Sequence, residues 1–402
     1  MNKLKNNIIP NVPHLRFDEE EWKYTSLGNI ASKFDYGLNA EAIDYDGKHK
    51  YIRITDIDEN TSKFINDNLT TPANFDNKYI VNKNDILLAR TGASTGKSYL
   101  YDLNDGRLYF AGFLIRINVN DDINSIFVFN QLKTIRYKKW VKIISNRSGQ
   151  PGINAEEYKS YKIGICSKAS QDKIAAFLTL IDNRIETQMK IIEEYKSLIK
   201  GIREKLIYKN KSLNKVIKIK DIADCLGGYA FDSSTYVKRG KYKVITIGNV
   251  TGDEYINISN TNFIDTLPND IHKYQILKKE SILISLTGNV GRVSKVLFEN
   301  CLLNQRVATL MVKKDNLQDY IYYCLSSIIF ENSMIKCSQG AAQKNINNTD
   351  IESFNIPFTN DINYIVMICN VIKKFDLLLS SNKKILENYF KFKKYLLNNM
   401  FI

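Results

Sequence analysis

Apolar residues recur along this chain in two rhythms. The slower one occupies two stretches, where apolar positions alternate at steps of four and three. The first reads Ile174, Leu178, Ile181, Ile185, Gln188, Ile192, Tyr195, Ile199, Ile202, Leu206. The second follows 194 residues later as Ile368, Ile372, Phe375, Leu379, Asn382, Leu386, Tyr389, Lys393, Leu396, Met400. A period of about 3.5 residues held over so many turns specifies a helix whose stripe packs on another helix. Each helix should run for roughly 35 residues, on the order of 50 Å. Ser170 is the expected N-cap of the first, and Thr359 or Asn360, followed by Asp361, of the second. Gly201 weakens the first helix, and Lys393 the second seam, where Phe392 is a partial substitute. Antiparallel pairing would bring together the mid-seam amides Gln188 and Asn382, each satisfying the other and fixing register. Otherwise both lie at the exposed edge of the seam. The residues expected to hold the pair are Ile181, Gln188 and Ile192 with Phe375, Asn382 and Leu386.

The faster rhythm marks short strands, in the same order in both halves. Tyr51–Ile57 reads as a strand ending in a polar turn, with its counterpart in Val244–Val250. A buried strand, Ile86–Arg90, leads into the loop Thr91-Gly92-Ala93-Ser94-Thr95-Gly96-Lys97; its counterpart Ile282–Leu286 leads into Thr287-Gly288-Asn289-Val290-Gly291-Arg292. Another strand is expected around 108–119 and 302–313, then a helix near 124–144 and 316–336. Each half closes with a polar glycine-bearing loop, Ser148–Asn154 or Gln339–Asn347. Strands mixed with helices give an α+β (α/β) fold class. The expected architecture has two duplicated globular domains separated by two long helices, which pair as an antiparallel coiled coil with pseudo-two-fold symmetry. The boundaries are an N-terminal arm over 1–20, a first domain over 21–166, a first helix over 167–211, a second domain over 212–357 and a second helix over 358–402.

Composition changes the picture in one respect. The chain has 402 residues, 44% hydrophobic and 25% charged, the profile of a soluble globular protein of two domains. Its 57 basic residues against 43 acidic ones give a net charge of +14, which favours a polyanion such as nucleic acid. An AT-rich coding sequence would also yield this Lys-, Asn- and Ile-rich composition. The opening residues show no signal peptide, and no apolar run is long enough to span a membrane. Six cysteines without a C-x-x-C pair fit reduced thiols and a cytoplasmic location.

Catalytic chemistry finds little support. Gly92 and Gly96 are separated by three residues, where a phosphate-binding Walker loop needs four, and a strand rather than a helix should follow Lys97. Three histidines (His14, His49, His272) are unmatched between the halves, and no hydrolase, zinc or dinucleotide signature occurs. The loops suit nucleic acid better. Arg90, Thr91, Ser94, Lys97, Arg147 and Gln150 in the first half, and Thr287, Asn289, Arg292, Arg306, Gln343 and Lys344 in the second, place side chains on turns. Such groups bond both phosphates and base edges.

At this point the chain resembles the specificity (S) subunit of type I restriction–modification systems. The resemblance rests on Pro13–Phe17 with Trp22 and Leu27-Gly28, on the Thr-Gly loops after a buried strand, and on Ser148-Gly149-Gln150 leading to Ile153-Asn154. Gln171-Asp172-Lys173-Ile174-Ala175-Ala176-Phe177-Leu178 running into the long helix is the strongest part. The second half departs from it, with Ile365 where the first has Gln171. The resemblance implies that each globular domain reads one half of a bipartite target in double-stranded DNA. The helices would set the unread spacer and dock two methyltransferase (M) subunits, which restriction (R) subunits then join. It also implies a chain that is no enzyme and holds no cofactor, with S-adenosylmethionine, ATP and magnesium belonging to the partners. A stand-alone DNA-binding regulator and a non-catalytic coiled-coil scaffold are the competing readings.

Overall fold

The computed structural model describes residues 13–18, 20–146, 151–338 and 345–402. The chain divides into two compact units, one of residues 1–189 with 384–402, the other of residues 190–383.

The first unit is built on a four-stranded antiparallel sheet in the order Ala31–Tyr36, Leu114–Val119, Asp85–Ala89, Ser98–Leu100. The run Ile86-Leu87-Leu88-Ala89 is fully buried because both faces of this sheet are covered. Ile86 and Leu88 enter a core with Trp22, Phe127 and Tyr158, while Leu87 and Ala89 point into a smaller core with Ile52 and Phe110. That smaller core sits on a parallel pair, Lys50–Ile52 with Leu108–Phe110. An antiparallel ribbon of Lys23–Ser26 with Lys162–Ile165 closes the unit.

The second unit repeats the plan. Its sheet runs Ala223–Gly227, Val307–Val312, Ile282–Ser285, Val293–Lys295. Ile282 and Ile284 face one core and Leu283 another. The parallel pair is Tyr242–Ile245 with Cys301–Leu303, and the closing ribbon is Lys215–Lys218 with Asn355–Phe358.

Two elements expected as single pieces are broken, at matching places. The strand around 108–119 turns at Ala111–Phe113, and that around 302–313 at Asn304–Arg306, where the chain leaves the parallel pair and enters the main sheet. The helix near 124–144 divides into Ser125–Gln131 and Ile135–Ser145, and that near 316–336 into Gln318–Leu325 and Ile328–Cys337. The hydroxyls of Thr134 and Ser327 cap the second pieces by accepting the Tyr137 and Phe330 N–H groups.

The long helices span Lys168–Ile207 (40 residues) and Ile362–Asn399 (38 residues). In the first unit Ile174 and Leu178 share a core with Leu396, Leu397 and Met400, and Lys393 pairs with Asp182. In the second, Ile207 shares a core with Ile368 and Ile372, and Arg203 pairs with Asp376 at 2.5 Å. In each unit a rising number on one helix meets a falling number on the other, so the segments pack antiparallel. Lys393 is buried in the seam because Asp182 neutralises it there. Ile185, Gln188, Ile192 and Ile199 are buried; Ile181, Phe375, Asn382 and Leu386 are half-buried.

The helix starts differ from expectation. Ser167, not Ser170, caps the first, accepting the Ser170 N–H at 3.3 Å, while the Ser170 hydroxyl donates to Asp18. Asp361 caps the second by accepting the Tyr364 N–H at 3.1 Å. Gln171 turns inward: its Oε1 accepts the Asn124 N–H and its Nε2 donates to the Cys166 carbonyl, both at 2.9 Å. Ile365 lies in an apolar core.

Candidate nucleic-acid interface

The site in each unit grows from one close approach of backbones. A Cβ built on Gly37 would lie 2.1 Å from the carbonyl oxygen of Ala111, and one on Gly228 would lie 2.1 Å from that of Asn304. Glycine therefore lets the end of the first sheet strand press against the turn. Hydrogen bonds fix the turn in the same way twice: Gly112 donates to Leu38 and Gln305 to Tyr229, while Leu114 donates to Ala111 and Val307 to Asn304. The next residue along each turn carries the outward side chain, Phe113 or Arg306. Its carbonyl accepts the N–H of the residue opening the Thr-Gly loop, Arg90 or Leu286.

The Thr-Gly loops are zipped to the chain that follows the polar loops. Thr91 bridges Gly152, Gly92 donates to the Pro151 carbonyl, and Ile153 donates to that of Arg90. Correspondingly Thr287 bridges Asn345, and Ile346 donates to the Leu286 carbonyl. Gly96 and Gly291 close the loops at φ of +85° and +77°. A Cβ at either would strike a side chain of the capped helix behind, Val141 or Met334. The loops are thus held from below, and their exposed side chains have a rigid base.

Within that frame the expected contact residues separate. Arg90, Thr91, Ser94 and Lys97 share one loop and are half-buried. Arg90 is drawn inward: its Nε donates to the Gly112 carbonyl at 3.0 Å and its guanidinium stacks 5.0 Å from the Tyr36 ring centroid. Lys97 lies near Asp58. Burial raises that carboxyl's pKa, but hydrogen bonds from Thr61 and Asn60, with the Lys97 charge, leave it below its ordinary value. In the second unit Thr287 keeps its hydroxyl buried without a partner among the described residues. Asn289 is exposed while its carbonyl accepts the Ser285 hydroxyl at 2.5 Å, and Arg292 is half-buried with its N–H on that same hydroxyl. Arg306 is exposed on the turn. Arg147, Gln150, Gln343 and Lys344 lie outside the described residues. Phe113, 56% exposed, was missed by the sequence reading; its signal is a glycine one residue before it inside an apolar run.

The arrangement offers polyanion chemistry. Backbone hydrogen bonds join the clamped turn and the Thr-Gly loop of each unit, which brings together hydroxyls, amides and cations, groups able to bond phosphates and base edges. Among the described residues no group of His, Cys, Asp or Glu side chains is placed to hold a metal ion, and no helix is long and apolar enough to cross a membrane.

The model of the family described as "Type I restriction modification DNA specificity domain" matches residues 19–196 and again residues 211–389. The type I restriction enzyme MjaVIII specificity subunit of Methanocaldococcus jannaschii is 24% identical over 409 residues, covering 94% of this chain and 92% of the relative. The putative type I restriction enzyme MjaX specificity subunit of the same organism is 27% identical over 308 residues, covering 71% and 69%. Among solved structures, the type-I restriction-modification system S subunit from M. genitalium superposes with a TM-score of 0.54 at 16% identity, covering 97% of this chain and 99% of that one. A chain from a structural study of complex assembly and conformational transition of the type I R-M system gives 0.57 at 14% identity, covering 94% and 96%.

Proposed function

The chain belongs to the type I restriction–modification DNA specificity family, and from that premise we propose that each of its globular domains reads one half of a bipartite target in double-stranded DNA. The observation that carries the reading is the twice-built frame of clamped turn and zipped Thr-Gly loop, whose fixed backbone matches in the two units while its outward side chains differ. Two sites with one architecture and different tips suit an asymmetric target. Lysines and arginines supply sequence-independent phosphate attraction, which falls steeply with salt, and the tips supply discrimination.

On this reading the helices set the unread spacer and dock two methyltransferase subunits, joined by restriction subunits. The second helix supports a docking role: Met367, Val371, Leu378, Ile385 and Phe392 are exposed apolar side chains at heptad-like steps, apart from the seam. The equivalent positions on the first helix are Lys173, Phe177, Arg184, Ile191 and Leu198, so two charges interrupt the row there. The chain itself is then non-catalytic, and S-adenosylmethionine, ATP and magnesium serve the partner subunits.

The test is co-expression with a type I adenine-methyltransferase subunit followed by long-read methylation mapping of the host DNA. The expected result is one bipartite motif, two specified blocks separated by a fixed gap. A stable complex that leaves no such motif would overturn the reading in favour of a regulator or scaffold.

A further inference from the structure

The two clamped turns are superposable in their hydrogen bonding but end in opposite chemistry, and the positions that open the Thr-Gly loops are exchanged with them. In the first unit the cation stands at Arg90, where it is spent on the Gly112 carbonyl and the Tyr36 ring, and the tip is Phe113. In the second unit Leu286 and Gly227 occupy the places of Arg90 and Tyr36, and the cation stands at the tip, as Arg306. The Arg306 guanidinium finds no hydrogen-bond or ion-pair partner among the described residues, although its backbone is fixed on both sides: its N–H donates to Asn304 Oδ1 and its carbonyl accepts the Leu286 N–H. The Phe113 ring is 56% exposed on a turn equally fixed. A large apolar ring held out on a rigid, glycine-clamped turn gains nothing from its own fold, because burying it would be favourable. A guanidinium without a partner on such a turn is pre-organised for an acceptor pair.

We infer that the clamped turns carry the base-reading residues of the two domains, Phe113 packing against the 5-methyl group of a thymine and Arg306 bonding the O6 and N7 acceptors of a guanine. The inference rests on the DNA-reading function proposed above and refines it. It also moves Arg90 out of the DNA contacts: Arg90 is a positioning residue that holds the carbonyl of Gly112 and so aims Phe113. The chemistry follows from what each tip can recognise in a major groove. The thymine methyl is the apolar feature there, and two acceptors side by side, matched to a planar fork of donors, occur on guanine.

The experiment uses the full chain co-expressed with its methyltransferase partner, and reads the methylated motif separately for each half-site. Arg306→Ala should relax one position from guanine to any base in one half only, with discrimination there falling on the order of ten-fold or more. Arg306→Lys keeps the charge but not the fork, so it should relax the same position. Phe113→Ala should relax a thymine by a few-fold in the other half only. Both sites are exposed, so an unchanged thermal midpoint will show that each variant is folded. A uniform fall in methylation across all sequences, with no base relaxed, would assign Arg306 to a phosphate and overturn the inference. So would folded Ala variants that keep the wild-type motif in both halves. A wild-type chain that yields no bipartite motif would instead overturn the proposed function itself.

Discussion

The two units share a frame and differ in what fills it. Both have the same strand order in the main sheet, the same glycine pressed on a carbonyl oxygen, and the same pair of loops zipped together. Yet at two matched positions the first unit buries a guanidinium or an amide where the second buries a hydroxyl or an apolar side chain. Arg116 lies within the first sheet, bonded to Asp35 and near Asp85; Thr309, whose hydroxyl donates to the Ile282 carbonyl, takes its place in the second. Gln171 ties the start of the first long helix to the chain at Asn124, while Ile365 serves the second by packing alone. The comparison teaches that backbone geometry is what the fold must keep. A close approach admits only glycine, whereas a buried position accepts either a satisfied polar group or an apolar one of similar size.

The sharpest way to break the comparison is at the clamps. Gly37→Val and Gly228→Val should each cost about 3 kcal/mol or more, since the new Cβ must displace a carbonyl oxygen and not a flexible side chain. Thermal or denaturant unfolding measures it. A variant at either position with a wild-type midpoint would show that the two turns are not equivalent.

The ion pairs of the long helices come next. Asp182 and Asp376 are 194 positions apart and each meets a cation of the other helix, but the Lys393 side chain is 9% exposed against 21% for Arg203. Asp182→Ala should cost about 3 kcal/mol, because it leaves Lys393 buried in the seam without its counter-charge, and Asp376→Ala about 2 kcal/mol, because Arg203 keeps more contact with water. Equal losses, read from denaturant midpoints, would mean that burial does not set the difference. The helix starts are a milder test. Gln171→Leu orphans the Asn124 N–H and the Cys166 carbonyl, and Ile365→Gln buries an amide with no partner prepared for it. Each should cost about 2 kcal/mol. If Gln171→Leu alone were neutral, the first helix start would be held by packing in the manner of the second.

How far the sequence discloses this depends on whether a signal is local. The seam from Ile174 to Leu206 is periodic within its own helix, so its helix and its partnering could be read directly. The run Leu108 to Ile117 carried only Gly112 as a warning of its turn, because Ala111 and Phe113 continue an apolar stretch and the close approach at Gly37 comes from a distant part of the chain. The second half is plainer, since Asn304-Gln305-Arg306 interrupts its apolar run. Arg90 was legible as a cation on a loop, but its inward role depends on Tyr36, 54 positions earlier. Thr134 and Ser327 each stand within an amphipathic pattern that runs past them, so the break they cap was hidden. The loop residues expected to touch DNA carried a local motif, whereas Phe113 did not, because exposure of an aromatic side chain is a property of the fold.

The smallest predicted effect separates the two interiors by pH. Asp85 and Ser281 stand at matching places at the start of the buried strand and share one bond: Asp85 accepts the Asn82 N–H at 2.8 Å, and the Ser281 hydroxyl accepts the Lys278 N–H at 3.1 Å, while Asp85 alone also accepts from Asn118 Nδ2 at 2.6 Å. Burial raises the Asp85 carboxyl above its ordinary value, outweighing its bonds to Asn82 and Asn118 and the nearby Arg116 charge. Its folded state therefore takes up a proton at a higher pH than its unfolded state does. As pH falls through the folded value, Asp85 contributes a growing stabilisation, complete below the unfolded value and lost again as pH rises. Asp85→Ser, which installs the hydroxyl of the second unit, should remove that dependence and change stability at neutral pH by less than about 1 kcal/mol. The measurement is the difference in unfolding free energy between wild type and variant across the acid range. It should move in favour of the wild type as pH falls; a difference that moves the other way would mean that hydrogen bonding to the carboxylate, not burial, governs Asp85.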